Sequence, residues 1–163
     1  MVTVIFGINY GALAQDSSKT VYLYNIHTGE YLKETYWEKG SYNQEALNRI
    51  NYILRDFRVN EVKQIDLDLI DLLYIIKSIL DAQNPIHVIS GYRSTRTNEF
   101  LRKVSTGVAS RSLHTQGKAI DIHIPGIPLE RLRDTAINLK AGGVGFYPSS
   151  NFVHIDTGKF RVW

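Results

Sequence analysis

The stretch Ser112–Asp121 reads Ser-Leu-His-Thr-Gln-Gly-Lys-Ala-Ile-Asp, setting the imidazole of His114 seven positions ahead of the carboxylate of Asp121. A neutral imidazole nitrogen and an ionised carboxylate oxygen are a common pair of zinc ligands. A third must come from elsewhere, and the best candidate is His154, in Phe152-Val153-His154-Ile155-Asp156. Both segments alternate polar and apolar residues as strands do. Asp121 then shares a strand face with His123, and His154 shares one with Asp156. If the two strands are neighbours, these polar side chains converge on one side of a sheet, and His114 enters from the preceding loop. Such a gathering is costly unless every group is paired. A Zn²⁺ ion with three protein ligands and an open fourth position for water is one solution. A set of hydrogen bonds on a solvated sheet face is the other.

A second constellation is Ser90-Gly91-Tyr92-Arg93-Ser94. Here a strand ends, and an arginine is held close to the end of a rigid element. Such a guanidinium can bind a carboxylate or an oxyanion through two parallel hydrogen bonds, or it can serve a structural salt bridge. His27, in the turn His27-Thr28-Gly29-Glu30, reads as a surface residue, and His87 as a structural one.

The elements that must position these groups follow from periodicity. Thr20–Ile26 and Tyr31–Tyr36 are rich in β-formers around that turn and predict a hairpin. Across 43–58, Ala46, Leu47, Ile50, Ile53, Leu54 and Phe57 form a helical stripe. Asp66 caps a second helix, Leu67–Leu80, which is apolar almost all round and so is expected to be the central buried helix. Ile86–Ile89 is a short strand. Thr95–Val104 is a helix capped by Ser94 or Thr95, with Phe100 and Leu101 expected on its inner face, and 105–111 is a loop of small residues. After the strand that holds Asp121, Pro128 opens a helix whose stripe is Leu129, Leu132, Ala136 and Leu139, with Gly142-Gly143 expected to end it. Strands at 144–147, 152–156 and 160–163 complete an α+β fold. The expectation is a single domain whose small, mainly antiparallel sheet carries the zinc site and packs against helices.

Composition narrows the function classes. With no cysteine, disulfides, Cys-based zinc fingers, thiol catalysis and a lipid-modified N-terminal cysteine are all excluded. The net charge of +3 comes from scattered bases without a basic stripe, which argues against nucleic acid as partner. Residues 1–14 carry no charge and end in Ala12-Leu13-Ala14, the small-x-small pattern before a secretory cleavage site, although a basic start is missing. Residues 1–19 are therefore expected to be a partial signal peptide followed by a loose segment, with an ordinary first strand over Val2–Tyr10 as the alternative. Residues 20–163 form the expected domain, and no run is long enough to span a membrane.

Taken in order, Ser90–Ser94, the pattern Ser112-x-His114-x-x-Gly117-x-Ala119-x-Asp121 and His154 resemble the D-Ala-D-Ala metallopeptidase family. Its broader superfamily includes lysostaphin-type endopeptidases and the hedgehog signalling domain. Within it the chain is most similar to the YcbK-like murein endopeptidases. The resemblance runs from Val21 to Trp163 and takes in Asn25–Glu30, Ser90–Leu101, Ala141–Gly145 and Ser150–Gly158. It implies one Zn²⁺ per chain, held by His114, Asp121 and His154. It also implies hydrolysis of peptidoglycan peptide cross-links, as an endopeptidase or as a D,D- or L,D-carboxypeptidase. Arg93 falls at the arginine that steadies the substrate carbonyl or carboxylate. In such a site zinc activates water and polarises the scissile carbonyl, while a carboxylate passes the water's proton to the leaving amine. Several relatives place that carboxylate three residues before the last histidine ligand. Here the position is Asn151, which cannot act as a base. Asp156 is the expected substitute and His123 the alternative, and either could instead orient a ligand. The competing reading is a non-catalytic, zinc-stabilised cell-wall or partner-binding module of the same fold. An exported, periplasmic monomer acting on peptidoglycan peptides is the resulting expectation.

Overall fold

Residues 18–105 and 108–163 are described by the computed structural model. The expected signal peptide and the alternative strand at Val2–Tyr10 lie outside the described residues, as do positions 106 and 107 of the small-residue loop. In β1 (Ser18–Asn25) Val21, Leu23 and Asn25 are buried and Tyr22 and Tyr24 are not, as the alternation requires. The strand starts earlier than expected. Ser18 and Lys19 belong to it, and Lys19 Nζ donates to Asp71 at 3.1 Å. It pairs antiparallel with β2 (Tyr31–Glu38) in the predicted hairpin, and β3 (Ser41–Tyr42) extends the edge. Asn25 fixes the turn: its side-chain oxygen accepts from the backbone of His27 and Thr28.

Helix α1 (Gln44–Ile53) is capped by Asn43 and stops short of the expected Arg58. Beyond Leu54 the polar side chains take over the backbone. Arg55 bonds the Tyr52 carbonyl, Asn60 and Glu30, and Asp56 forms an antiparallel bridge with Glu61. Helix α2 (Leu67–Ile79) begins at Asp66, as expected. It buries Leu69, Ile70, Leu72, Leu73 and Ile76, but Ile75 and Ile79 face solvent, so it covers the sheet with one broad face and is not wrapped on all sides. Helix α3 (Thr95–Val104) follows β4 (Ile86–Ser90) and is turned differently from expectation. Thr97 and Asn98 face inward, whereas Phe100 is 58% exposed. Ser94 caps it by accepting from Thr97 N at 3.1 Å, and that cap sets the rotation.

The remaining elements are β5 (Ala119–His123), α4 (Leu129–Leu139), β6 (Gly143–Tyr147), β7 (Phe152–Asp156) and β8 (Arg161–Val162). Lys140, in the left-handed conformation, ends α4; the glycine pair does not. The eight strands among the described residues join one sheet in the order β3-β2-β1-β4-β5-β7-β6-β8. The β1–β4 and β6–β8 pairings are parallel and the others antiparallel. Ile120, Ile122, Val153 and Ile155 pack with the helices in one apolar core. Burying each such side chain contributes about 1.5–3 kcal/mol, which pins the register of β5 and β7 because a one-residue slip would turn these residues out. The same register sends Asp121 and His154 to the opposite face. No helix among the described residues is long and apolar enough to cross a membrane.

Candidate metal centre

Asp121 and His154 are direct cross-strand partners on β5 and β7. His114 comes from a short 3-10 turn, Leu113–Gln116, whose geometry is set at both ends. Ser112 opens it by accepting from His114 N at 3.3 Å, and Gly117 closes it at φ +70. A side chain at Gly117 would be strained by that φ and would meet the Gln64 carbonyl oxygen at 2.6 Å. All three groups are buried: His114 is 3% exposed, Asp121 7% and His154 9%.

Hydrogen bonds define the protonation of both imidazoles. His114 Nδ1 lies 2.8 Å from the Gly91 carbonyl, which can only accept, so Nδ1 carries the proton and Nε2 presents a lone pair. His154 Nε2 donates to Asp156 Oδ2 at 3.0 Å, which leaves Nδ1 as the bare nitrogen. The bare nitrogens stand 3.2 Å apart, and Asp121 Oδ1 lies 3.3 Å from the first and 2.8 Å from the second. Three electron-rich atoms this close repel one another unless a proton or a metal ion sits among them. Ligand bonds of about 2.0–2.1 Å in tetrahedral geometry separate ligand atoms by about 3.3 Å, so the triangle fits a zinc-sized ion. No other group of three or more His, Cys, Asp or Glu side chains among the described residues offers a comparable cluster.

The three groups are also strongly coupled electrostatically. Burial would raise the Asp121 carboxyl, but His114 and then His154 hold it well below the usual carboxylate range. Burial opposes the charged form of His154, yet contacts with Asp121 and Asp156 outweigh it and raise its pKa. Asp156, expected as the general base, is positioned for a different task. It is fully buried and does not line the cavity above the triad. Its Oδ1 accepts from Gly143 N at 3.0 Å, Gly158 N at 2.8 Å and Arg161 Nη1 at 3.2 Å, while Oδ2 accepts from His154 and from Arg161 Nη2 at 2.7 Å. A carboxylate so saturated, and held low by His154 and Arg161 against the effect of burial, has no lone pair to offer a water in the cavity. The glycine pair 142–143 gives it room: a side chain at Gly143 would meet Asp156 Oδ2 and Arg161 Nη1 at 2.5 Å each.

His123, the alternative base, also lies away from the cavity. It pairs across β4 with His87, ring centroids 4.8 Å apart, and its Nδ1 is buried without a partner. Burial lowers the pKa of both rings. Asn151 sits exposed in the turn before β7 with φ +55. His27 bonds the Ile89 carbonyl at 3.0 Å and stacks on Phe57, remote from the triad. Arg93 does reach the site. It lines the cavity, with Nη2 4.0 Å from Asp121 Oδ2 and 3.3 Å from Ser90 Oγ, while Nη1 donates to Asn98 at 3.4 Å. Its Nε is buried with no partner. The turn that carries Arg93 hangs on Asp56, whose Oδ2 accepts from Ser94 N at 2.9 Å and Ser94 Oγ at 2.7 Å.

Above the triad is a cavity of about 520 Å³. Its walls include residues with no chemical assignment in the sequence reading: Arg111, Tyr147, Phe152, Arg161 and Trp163. The Trp163 ring lies 5.2 Å from His154, Trp163 Nε1 donates to the Tyr147 hydroxyl at 2.8 Å, and Tyr147 stacks on Phe152 at 4.6 Å. The C-terminal run Phe160–Trp163 reads only as a strand in sequence. The one available signal was its density of aromatic and basic residues.

Comparison with known proteins bears on the same residues. The family model described as peptidoglycan L,D-endopeptidase MepK matches residues 13–163. The peptidoglycan L,D-endopeptidase MepK of Escherichia coli (strain K12) is 46% identical over 154 residues, covering 94% of this chain and 85% of that protein. The Shigella flexneri protein of the same name matches to the same extent. The probable peptidoglycan L,D-endopeptidase MepK of Haemophilus influenzae is 44% identical over 140 residues, covering 85% of this chain and 75% of its own.

Proposed function

The chain belongs to the peptidoglycan L,D-endopeptidase MepK family, and from that premise we propose that it is an exported, zinc-dependent peptidase that cuts L,D peptide cross-links in bacterial peptidoglycan. The observation that carries the metal part of this reading is the convergence of two bare imidazole nitrogens and one carboxylate oxygen at the floor of an open cavity. His114, Asp121 and His154 would hold one Zn²⁺, which when bound supplies Lewis acidity toward a carbonyl oxygen and lowers the pKa of water. The chain's own residues do the rest. Gly91 and Asp156 fix the tautomers of His114 and His154. Arg161 holds Asp156 in place. Arg93, at the cavity wall, offers donors to a substrate carbonyl or carboxylate oxygen. A peptidoglycan substrate supports an exported, periplasmic location, and the reading is of a monomer.

One observation favours a second reading. Among the described residues lining the cavity, Asp121 is the sole carboxylate, and it is spoken for as a ligand. A zinc-stabilised module that binds wall peptides without turnover would look like this. Incubating the metal-loaded protein with intact sacculi and separating released muropeptides by chromatography distinguishes the two. The endopeptidase reading expects new fragments cut at L,D bonds, with His114→Ala and His154→Ala losing bound metal and activity together. Wall binding with no fragments, under conditions where a known hydrolase releases them, would establish the module instead.

A further inference from the structure

The cavity lining mixes aromatic and charged groups, with Trp163 48% exposed and Tyr147 36% exposed. Trp163 can lie flat on the sheet because its neighbour is Gly145, where a side chain would meet the indole at 2.7 Å. Besides Asp121, the Asp, Glu, Lys and Arg side chains of the lining are three arginines, Arg93, Arg111 and Arg161. Two of them are committed within the protein. Arg161 grips both oxygens of Asp156 and lies 4.8 Å from the Trp163 ring, and Arg93 is shared among Ser90, Asn98 and Asp121. Arg111 is exposed, and among the described residues no acid pairs with it. It is not loosely attached, however. It precedes the buried Ser112 that caps the His114 turn, so its backbone is anchored three residues from a metal ligand.

We propose that Arg111 is a specificity-determining residue that pairs with a free carboxylate on the bound peptide, while the Tyr147–Trp163 wall takes that residue's aliphatic stem. The inference deepens the peptidase reading and rests on it for the identity of the substrate. A guanidinium and an aromatic surface lining one cavity select an acidic, amphiphilic residue, because only that residue can engage both. A neutral amide in the same place leaves the cation without its charged partner.

The test uses metal-loaded protein, as wild type, Arg111→Lys and Arg111→Glu, with two ligands. These are uncross-linked stem peptides prepared from sacculi, and the same peptides with their carboxylates converted to amides. Calorimetric Kd values carry the inference. Arg111→Glu should weaken binding of the acidic peptide by about 10- to 100-fold, the range for a hydrogen bond to a charged group. Arg111→Lys should lose less, and the amidated peptide should bind wild type and Arg111→Glu alike. Equal binding of the acidic peptide by wild type and Arg111→Glu, or no binding of it by wild type, overturns the proposal. A parallel digestion of sacculi reads turnover, where the loss for Arg111→Glu should appear in KM rather than kcat. Absence of turnover with intact charge-selective binding would overturn the peptidase reading alone.

Discussion

Asp156 acts on His154 and not on solvent, and that distinction has a measurable consequence. The carboxylate accepts from His154 Nε2, two backbone N–H groups and both arms of Arg161. Replacing it with asparagine keeps the size but removes the charge and turns an amide NH₂ toward one of these donors. The imidazole then loses both its fixed tautomer and the negative field that makes Nδ1 a good donor to metal. Outer partners of this kind are worth about 10- to 100-fold in metal affinity. We therefore expect Asp156→Asn to bind Zn²⁺ about 10- to 100-fold more weakly, as read by competition with a chromophoric chelator. A general base would behave otherwise: its amide variant would keep metal affinity and lose turnover only. Arg161→Gln should move metal affinity the same way by a smaller factor, because it acts through Asp156 and leaves the contact between Asp156 and His154 in place.

The elements hold the site by close backbone contacts, one of them at β4's exit turn. Tyr92 N bonds the Leu54 carbonyl at 2.8 Å, Arg93 N bonds the His114 carbonyl at 3.2 Å, and a side chain at Gly91 would meet the Leu54 oxygen at 2.5 Å. Backbone cannot yield as a flexible side chain does, so Gly91→Ala should cost about 1–3 kcal/mol in urea unfolding, the usual range for overpacking. It should also weaken metal binding, because the Gly91 carbonyl fixes His114. This coupling explains what could be read in advance. The convergence of His114, Asp121 and His154 was legible because the signal is local: a capped turn, then two strands whose alternation declares which residues leave the core. The helices were legible in number and place for the same reason. The surroundings of Asp156 were not legible, because facing the same side as His154 says nothing about which donors surround it. Those donors come from Gly143, Gly158 and Arg161, and they meet only when β6 and β7 pair and the chain turns back toward β8. Phe100 was placed inward because periodicity gives a stripe but not its rotation, which the Ser94 cap and its bond to Asp56 decide. The cavity wall of Arg111, Tyr147 and Trp163 unites segments far apart in sequence and had no local signature.

At the scale of the whole molecule, metal and protons should set stability in opposite directions. The three ligand atoms converge only in the folded chain, so an ion bound there stabilises the native state alone. Free Zn²⁺ at a hundred times its Kd should add about 2.7 kcal/mol, a rise in Tm of roughly 5–10 °C for a chain of this length. Chelation should reverse it. Metal binding needs neutral imidazoles and an ionised carboxylate, and, against the effect of burial, His154 is raised above the ordinary imidazole value by Asp121 and Asp156, so the zinc-dependent part of Tm should shrink as pH falls through the His154 titration. A second, metal-independent loss should follow at lower pH. Burial works against the Asp56 carboxylate, but hydrogen bonds from Thr97, Ser94 and Arg58 prevail and hold its pKa below the ordinary 3.8. A group lowered on folding contributes stability above its unfolded pKa, and that contribution is lost as pH falls through the folded value. Chelator-treated protein should therefore lose stability in acid below about pH 4, and Asp56→Asn should both start lower and show a shallower acid limb. Thermal unfolding across pH, with and without zinc, separates the two effects. A zinc increment that stayed constant down to pH 4 would mean that the stabilising ion does not sit on His114 and His154.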